Sequence, residues 1–348
     1  MKRIPPTDII KRLYTLKTHK IFSLPIVILM PHSRCNCRCV MCDIWKGNNN
    51  VQELSEQDIK GMLDSFKKLN TSTVVMSGGE ALMHPNFFRL CEILKSNKLT
   101  ITILSTGLLL KKYANEIISK ANEVIVSLDG SKEVHDKIRN VPNAFNKLKE
   151  GVGDLKKLDK NFRITARCVI QKKNFDDLPN ILKAAHEIDL DQISFLTADV
   201  STDAFNRPIL WGDAKVNEVR LSLDELKRFK EIIDLLIESH SKDFENKFIA
   251  ESPEKFRSFY NYYAAFLGLC EFPSNRCNAP WVSAVIEADG SVRPCFFHAV
   301  SGNIKEASLT QILNSESSVS FRKNLNVKTN SICEKCVCSI NLTSYTKL

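Results

Sequence analysis

Residues 35–42 read Cys-Asn-Cys-Arg-Cys-Val-Met-Cys, and three of the cysteines are spaced C-x₃-C-x₂-C: Cys35, Cys39 and Cys42. This run follows an apolar segment, residues 25–30, whose composition is typical of a β-strand. The cysteines are therefore expected on a loop just beyond the end of a strand. Three thiolates on one loop can hold a cubic iron–sulfur cluster and leave one of its four irons open to a small ligand.

The same loop has two other interpretations, a zinc site and a group of free thiols. Zinc usually takes its cysteine ligands as C-x₂₋₄-C pairs. The remaining thiol of the loop, Cys37, is interpreted as a spectator, because a fourth thiolate ligand would close the open iron.

Length and composition indicate one large domain and a smaller one. Hydrophobic residues make up 43% of the 348 positions and charged residues 26%, which is the usual balance for a soluble globular protein. The sequence contains no apolar run of about 18 residues that would predict a transmembrane helix, and its N-terminus lacks the pattern of a secretory signal. We therefore expect a reducing cytoplasm, where the 12 cysteines are metal ligands rather than disulfides.

The net charge of +9 comes from lysines that are spread along helices and mixed with acids, as on solvated surfaces, so no nucleic-acid partner is expected. Only the first twenty residues are clearly basic, through Lys2, Arg3, Lys11, Arg12, Lys17 and Lys20. A soluble basic helix explains this segment. The alternative is docking of an acidic reductant such as a flavodoxin or ferredoxin, since charge complementarity raises encounter rates.

Strand and helix patterns alternate six times along the chain. The predicted strands are residues 25–30, 72–77, 99–104, 123–128, 164–170 and 192–196, and the predicted helices are residues 55–69, 86–97, 108–120, 143–158 and 176–188. This alternation predicts an α/β fold, a partial (β/α)₆ TIM-like barrel, followed by a small C-terminal α+β extension.

Chemically distinctive residues follow these strands. Ser77-Gly78-Gly79-Glu80 comes after the second strand, Ser105-Thr106-Gly107 after the third, and Ser127-Leu128-Asp129 closes the fourth. Arg167 lies in the second half of the fifth strand. All fall at the carboxyl ends of parallel strands, where barrel enzymes build their sites.

Each of these residues has a chemical interpretation beside a structural one. The carbonyls of Gly78 and Gly79, with the Glu80 carboxylate, can accept hydrogen bonds from an ammonium group, although a plain turn explains the glycines as well. Ser127 and Asp129 are two residues apart and are expected on one face, where they can bind a ligand or merely end the strand. The guanidinium of Arg167 suits a two-pronged contact with a carboxylate, or an ion pair on the barrel rim.

A second set of cysteines lies near the C-terminus. Cys277 and Cys295 flank a predicted β-hairpin around Asp289-Gly290, and Cys333 and Cys336 form a C-x₂-C pair. Four thiolates can enclose a metal centre fully, and composition alone favours zinc. Two further thiols, Cys270 and Cys338, are left over, and two more are expected in the core, Cys91 and Cys168.

Taken together, the cysteine loop and the Gly-Gly-Glu motif resemble the radical S-adenosylmethionine (SAM) superfamily. The resemblance implies that the open iron of a [4Fe–4S] cluster on Cys35, Cys39 and Cys42 binds SAM, which is cleaved reductively to a 5′-deoxyadenosyl radical. It also implies SAM-binding roles for Gly78, Gly79, Glu80, Ser127, Asp129 and Arg167. The C-terminal cysteines resemble the twitch and SPASM extensions of the family, which implies one auxiliary [4Fe–4S] cluster on Cys277, Cys295, Cys333 and Cys336.

The expected function is abstraction of a hydrogen from an unactivated carbon, in the oxidation or rearrangement of a sugar-like or other small metabolite. The twitch-like spacing favours this substrate, as does the short lead of 24 residues before the barrel. The first alternative is modification of a peptide or protein side chain, and the second is a zinc-binding interaction protein without catalysis. The expected units are a lead segment (1–24), the radical SAM barrel (25–220), a helical linker (221–268) and the auxiliary domain (269–348).

Overall fold

The computed structural model describes residues 5–346. Residues 1–4 and 347–348 lie outside the described range, and with them Lys2 and Arg3 of the basic lead segment. None of the described helices is both long and apolar enough to span a lipid bilayer.

The described chain folds into an α/β architecture built on one sheet. Its strands are β1 (Ile26–Leu29), β2 (Thr73–Met76), β3 (Thr100–Ser105), β4 (Glu123–Ser127), β5 (Arg163–Ile170), β6 (Gln192–Thr197), β7 (Ser283–Ile286), β8 (Ser291–Arg293) and β9 (Gly302–Asn303).

The helices connect and cover these strands. Those of the first two hundred residues are α1 (Pro6–Thr18), α2 (Glu56–Lys68), α3 (Phe87–Ser96), α4 (Ala114–Lys120), α5 (Lys132–Arg139), α6 (Ala144–Leu158) and α7 (Leu178–Glu187). The remaining ones are α8 (Asp213–Val219), α9 (Leu223–Ser239), α10 (Ser241–Glu245), α11 (Pro253–Phe266), α12 (Ala279–Val282), α13 (Leu309–Leu313), α14 (Glu316–Asn324) and α15 (Ser331–Glu334). Two short 3₁₀ helices span Ile44–Asn49 and Ala81–Met83.

Strands β1 to β6 lie side by side in chain order, and every neighbouring pair is parallel. Burial alternates along β4 and β6, with one set of side chains fully buried and the other partly exposed. The buried set packs under the helices, and the partly exposed set forms the inner face of an open barrel. The predicted partial barrel of six βα units is confirmed.

The sheet continues beyond the predicted barrel. β7 pairs in parallel with β1, from Ile26 opposite Ser283 to Leu29 opposite Ile286. β8 and β9 then add antiparallel strands, which confirms the hairpin predicted around Asp289-Gly290. The C-terminal extension is thus hydrogen-bonded to the strand that leads into the cysteine loop. The turn of its hairpin, residues 287–290, therefore lies at the same edge of the sheet as that loop.

Three helical segments differ from the prediction. α4 begins at Ala114 rather than residue 108, because residues 108–113 form turns that lead from the end of β3 into the helix. α5 was not predicted, and the irregular stretch 199–220 contains the short helix α8. By contrast, the predicted start of α2 is confirmed, with a capping box in which Ser55 and Asp58 exchange hydrogen bonds.

One hydrophobic core runs from the barrel into the helices that follow it. Side chains of α9 and α11, among them Phe229, Phe256 and Tyr263, are buried in the same cluster as the sheet residues. The Tyr263 hydroxyl donates to the main-chain oxygen of Ile170 at 2.6 Å, which fixes α11 to the end of β5. The predicted domain boundaries stay a prediction.

Candidate active site

The cysteine loop, defined as residues 35–42, follows β1 at the carboxyl edge of the sheet. The thiols of Cys35 and Cys39 both lie within hydrogen-bond reach of the Cys37 thiol. The hydrogen bond with Cys37 lowers the pKa of Cys39 to about 7, whereas burial raises the pKa of Cys42 to about 12. Two predicted ligands, Cys35 and Cys39, are thus direct neighbours of the Cys37 thiol, and Cys37 favours a thiolate on Cys39.

Main-chain hydrogen bonds hold this loop from two sides. The side-chain amide of Asn48 forms two hydrogen bonds with the main chain of Cys35. Its Oδ1 accepts from Cys35 N and its Nδ2 donates to Cys35 O, both at 2.9 Å. On the other side, the last turn of α5 accepts two bonds, because Arg38 N donates to Arg139 O and Val40 N donates to Ile138 O. A loop fixed in this way presents its thiols without reorganisation.

The Gly-Gly-Glu segment packs directly against the start of the cysteine loop. Gly78 adopts a φ of 119°, and a Cβ built on it would lie 2.9 Å from the main-chain oxygen of His32. A Cβ on Gly79 would lie 2.1 Å from the main-chain oxygen of Arg34. Glu80 N donates to that same oxygen of Arg34 at 2.8 Å. Only glycine fits at residue 79, because the two backbone segments touch there.

The Glu80 carboxylate is fully buried and bonded to the protein's own donors. It accepts from the Ser105 hydroxyl at 2.9 Å and from Thr106 N at 2.7 Å. Burial raises its pKa, and these donors oppose the shift. The Thr106 hydroxyl in turn donates to Asn36 Oδ1 at 3.0 Å, within the cysteine loop. Ser105-Thr106 therefore links the end of β3 to both the Gly-Gly-Glu segment and the cysteines.

Asp129 lies beside the cysteine loop rather than on the open face of the barrel. Its carboxylate forms a buried ion pair with Arg139 and accepts from Val169 N at 2.8 Å. Arg139 Nη1 points at Cys39 Sγ, 3.5 Å away. The Asp129 carboxylate raises the pKa of Arg139 despite burial, which keeps the guanidinium charged. Asp129 thus holds a cation against a predicted cluster ligand.

Ser127 and Arg167 lie on the partly exposed inner face of the barrel. Ser127 of β4 is opposite Arg167 of β5, which is opposite Ser194 of β6. Arg167 Nε donates to Ser194 Oγ at 3.5 Å, a long bond that leaves most of the guanidinium free. These two side chains stay available to a ligand inside the barrel, unlike Glu80 and Asp129.

The four C-terminal thiols share one site. Burial raises the pKa of Cys295 to about 12 and that of Cys333 to about 11, and the neighbouring Cys277 thiol adds to both shifts. The pKa of Cys336 is raised by burial and then by the thiols of Cys338, Cys295 and Cys277. The hairpin and the C-x₂-C pair therefore lie close together, with His298 Nε2 at 3.3 Å from Cys333 Sγ, and the ligand set stays a prediction.

A cavity of about 450 Å³ lies beside the segments that flank the cysteine loop. Its floor includes Met30, His32 and Gly79, at the carboxyl ends of β1 and β2. The β7–β8 hairpin supplies Glu287 and the residue next to Cys295, Phe296. A third wall comes from residues 203–208 of the loop after β6. A molecule in this cavity would contact residues on either side of the cysteine loop, together with the neighbour of Cys295.

Comparison with known families identifies these two sets. A family model of the radical SAM superfamily matches residues 29–185, and one of the SPASM iron–sulfur cluster-binding domain matches residues 277–337. The chain contains a radical SAM domain followed by a SPASM domain. The first match contains the cysteine loop and every segment that follows a strand from β1 to β5. The second begins at Cys277 and contains all four thiols of the C-terminal site.

Similar proteins share this combination to different extents. Fe-coproporphyrin III synthase from Methanosarcina barkeri is 28% identical over 233 residues, 65% of this chain and only 54% of that protein. A cysteine-type anaerobic sulfatase-maturating enzyme from Clostridium novyi is 25% identical over 324 residues, 86% of this chain and 81% of that protein. The crystal structure of Streptococcus suis SuiB superposes with a TM-score of 0.64 at 16% identity, over 94% of this chain and 75% of that one. That likeness supports the fold.

The residues of this radical SAM protein fit the cofactors that its two domains imply, namely a [4Fe–4S] cluster with SAM and auxiliary iron–sulfur. Both thiol sets are buried or half-buried, with Arg139 beside Cys39 in the first and His298 beside Cys333 in the second.

Two site residues of this radical SAM protein had no signal in the sequence. Arg139 is one of them, because its contact with Cys39 depends on how α5 packs against the cysteine loop. Glu251 follows a short bridge between Ile193 and Ile249 at the open edge of the barrel. Its Oε2 is buried without a hydrogen-bond partner, and burial raises its pKa to about 7.

The first prediction concerns Gly79. The Cβ of Gly79→Ala would lie 2.1 Å from Arg34 O and 2.5 Å from Arg34 C, main-chain atoms that cannot move without displacing Cys35. We expect the protein to lose the first cluster, which is about four irons per chain. The free energy of unfolding should fall by at least about 2 kcal/mol. Iron analysis and urea unfolding measure the two effects.

The matched control is Gly153→Ala in α6, where an added Cβ meets nothing within 4 Å. It should retain all iron and gain about 0.5–1 kcal/mol, because alanine is the better helix former. Full iron in the Gly79→Ala protein would show that the close backbone contact is dispensable.

The second prediction is a pH dependence from Glu251. Burial raises the pKa of this carboxyl from its usual value of 4.5 to about 7, so the folded chain holds more protons than the unfolded chain between these values. Stability therefore falls as the pH rises through that window. Glu251→Gln should remove about 2 kcal/mol of this loss at pH 8 and change little at pH 4.5. Urea unfolding of both proteins across the range tests it, and parallel stability profiles would contradict it.

Proposed function

We propose that this protein is an enzyme that uses SAM to abstract a hydrogen atom from an unactivated carbon on a peptide or protein side chain. The cavity beside the cysteine loop is the observation that carries this proposal, because it offers a substrate site next to Gly79, a predicted SAM-binding residue. Its volume of about 450 Å³ suits one or two amino-acid residues.

When bound, the cluster and SAM supply the reductive cleavage that generates the 5′-deoxyadenosyl radical. The chain's own residues bind and orient the cluster and SAM and shield them from water. Cys35, Cys39 and Cys42 would hold the cluster, and the main-chain carbonyls of Gly78 and Gly79 are the proposed acceptors for the amine of SAM. Glu80 supports them by bonding the residues that follow β3.

The inner face of the barrel offers groups for the rest of SAM. Arg167 has a guanidinium with one long bond, which suits the carboxylate of SAM, and Ser127 in the adjacent register position suits the ribose. Asp129 keeps Arg139 charged beside Cys39. The auxiliary thiols Cys277, Cys295, Cys333 and Cys336 would hold auxiliary iron–sulfur, which would supply one-electron redox chemistry beside the substrate.

A peptide substrate is favoured over the small metabolite expected from the sequence. The sulfatase-maturating relative aligns over 86% of this chain and 81% of its own length, so the likeness includes the cavity and the C-terminal extension. By contrast, the Fe-coproporphyrin III synthase of Methanosarcina barkeri aligns over only 54% of its own length. In addition, Ile209 and Leu210 are strongly exposed next to Pro208 of the cavity wall, where they suit apolar side chains of an extended peptide.

The test uses the reconstituted, reduced protein under anaerobic conditions. It should contain about eight irons per chain and convert SAM to 5′-deoxyadenosine with a flavodoxin, a ferredoxin or a chemical reductant. Candidate peptides encoded beside the gene, deuterated at single side chains, should transfer deuterium into that product. Transfer from deuterated sugars or tetrapyrroles alone would overturn the peptide assignment, and absence of SAM cleavage would overturn the enzyme assignment.

A further inference from the structure

The loop after β6 contains a fully buried arginine. Arg207 is only 2% exposed, although a guanidinium is costly to bury without partners. Its Nη1 donates to Asp199 Oδ2 at 2.7 Å, and its Nη2 donates to Asp199 O at 3.0 Å. The ring of Trp211 covers the guanidinium, with its centroid 3.6 Å from Arg207 Cζ. We call residues 199–211 the strap.

One bond of Arg207 leaves the strap and ends on the cysteine loop. Arg207 Nη2 donates to the main-chain oxygen of Met41 at 3.1 Å. Met41 is between two predicted cluster ligands, Cys39 and Cys42. A peptide carbonyl held from outside cannot rotate freely, so this bond restricts the backbone that carries both thiols.

The strap also holds the far side of Cys42. Trp211 Nε1 donates to Asp43 Oδ2 at 2.8 Å, and Asp43 directly follows Cys42. The indole that covers Arg207 is therefore the same group that fixes Asp43. Together, the guanidinium and the indole contact the chain on both sides of one cluster ligand.

The guanidinium of Arg207 places a positive charge at the main-chain oxygen of Met41, the residue directly before Cys42. The strap residues before and after Arg207, including Phe205 and Pro208, line the cavity. One segment thus forms a wall of the proposed substrate site and a support of the proposed cluster site.

We propose that Arg207 is a positioning residue that fixes the Cys42 end of the cysteine loop and raises the reduction potential of the cluster held there. The inference rests on the proposed function, in which Cys35, Cys39 and Cys42 are the ligands. A fixed positive charge beside the backbone that carries these ligands favours the reduced, more negative cluster.

The test compares Arg207→Gln and Arg207→Lys with the wild-type protein, all reconstituted and unfolding at similar temperatures. Redox titration followed by electron paramagnetic resonance should show a more negative potential for the SAM-binding cluster in Arg207→Gln. Arg207→Lys keeps the charge and should lie nearer to wild type. The signal of the auxiliary cluster should be the same in all three proteins and serves as an internal reference.

Arg322→Gln is the matched control. Arg322 is equally buried, at 1% exposed, and also donates to main-chain oxygens, those of His19 and Leu313, away from the cysteine loop. It should leave the potential of the SAM-binding cluster unchanged. An equal shift of this potential in Arg322→Gln would mean that the loss of any buried arginine has the same effect, and it would overturn the inference.

A double variant, Asp199→Asn with Arg207→Gln, removes the carboxylate that the single variant leaves unpaired. The potential should stay below that of wild type, because the guanidinium and its bond to Met41 are still missing. A return to the wild-type potential would assign the shift to Asp199 and overturn the inference. If Arg207→Gln fails to fold, Trp211→Phe, which keeps the stacked ring but loses the bond to Asp43, should change the spectrum of the SAM-bound cluster.

These outcomes separate the inference from the proposed function. A wild-type protein that assembles no cluster on the cysteine loop would contradict the proposed function before any variant is measured. A normal wild-type cluster with identical potentials and spectra in the Arg207 and Trp211 variants would contradict the role of the strap alone.

Discussion

Cys39→Ala is expected to abolish the cleavage of SAM, with a loss of at least about 10⁶-fold, the lower end of typical enzymatic acceleration. In the proposed assignment three thiolates hold the first cluster, so the substitution leaves two. Bound iron should fall from about eight to about four per chain, since the auxiliary thiols are on a separate segment. Anaerobic product analysis and iron determination measure both effects in the same preparation.

Cys37→Ala is the matched control, because this thiol is 1% exposed and lies between Cys35 and Cys39 without belonging to the predicted ligand set. It should retain about eight irons and cleave SAM. The lost sulfur should cost about 1 kcal/mol of stability through a small cavity. If Cys37→Ala loses the cluster and Cys39→Ala keeps it, the ligand assignment within the loop is wrong.

The fold could be predicted in large part because its signals are local. Continuous apolar runs such as residues 74–76 and 124–126 predict strands covered by helices on a parallel sheet, and each is a strand in the structure. The placement of chemically distinctive residues after these strands follows from topology alone. The spacing of the cysteines likewise predicted an iron–sulfur site from neighbouring residues alone, without any information on tertiary structure.

The pairing of β7 with β1 could not be predicted in the same way. The two strands come from distant parts of the chain, and their register is set by the packing of Ala284 and Ile286 into the core beside Val27 and Leu29. Neither segment has a pattern that specifies a partner. This pairing nevertheless decides function, because it brings the hairpin before Cys295 to the edge where the cysteine loop lies.

Buried polar contacts were the other information that the sequence lacked. Asp129 was expected to face a ligand because it follows Ser127 by two residues, yet the chain leaves strand geometry after Ser127. Its carboxylate then turns to Arg139, an ion pair that depends on how α5 docks. The strap has no periodicity, so the environment of Arg207 likewise emerges only from packing against the cysteine loop.

The Asp129–Arg139 pair leads to the largest expected loss of stability. Arg139→Gln leaves the Asp129 carboxylate buried without a cation and beside the thiols of the cysteine loop. An unpaired buried charge costs about 3–5 kcal/mol. Asp129→Asn should cost less, about 1–3 kcal/mol, because Arg139 still faces the sulfur of Cys39 and retains a negative partner. Urea unfolding of the reconstituted proteins under anaerobic conditions measures both.

The double variant Asp129→Asn with Arg139→Gln decides whether charge pairing is the cause. Neither charge is then buried alone, so its cost should be smaller than the sum of the two single costs. Lys227→Gln provides the baseline, since its ion pair with Asp224 is on an exposed surface, with the side chains 68% and 92% accessible, and such pairs contribute about 0–1 kcal/mol. Equal costs for Arg139→Gln and Asp129→Asn would mean that the thiols do not sense the guanidinium. In that case Arg139 would stabilise the fold without acting on the site.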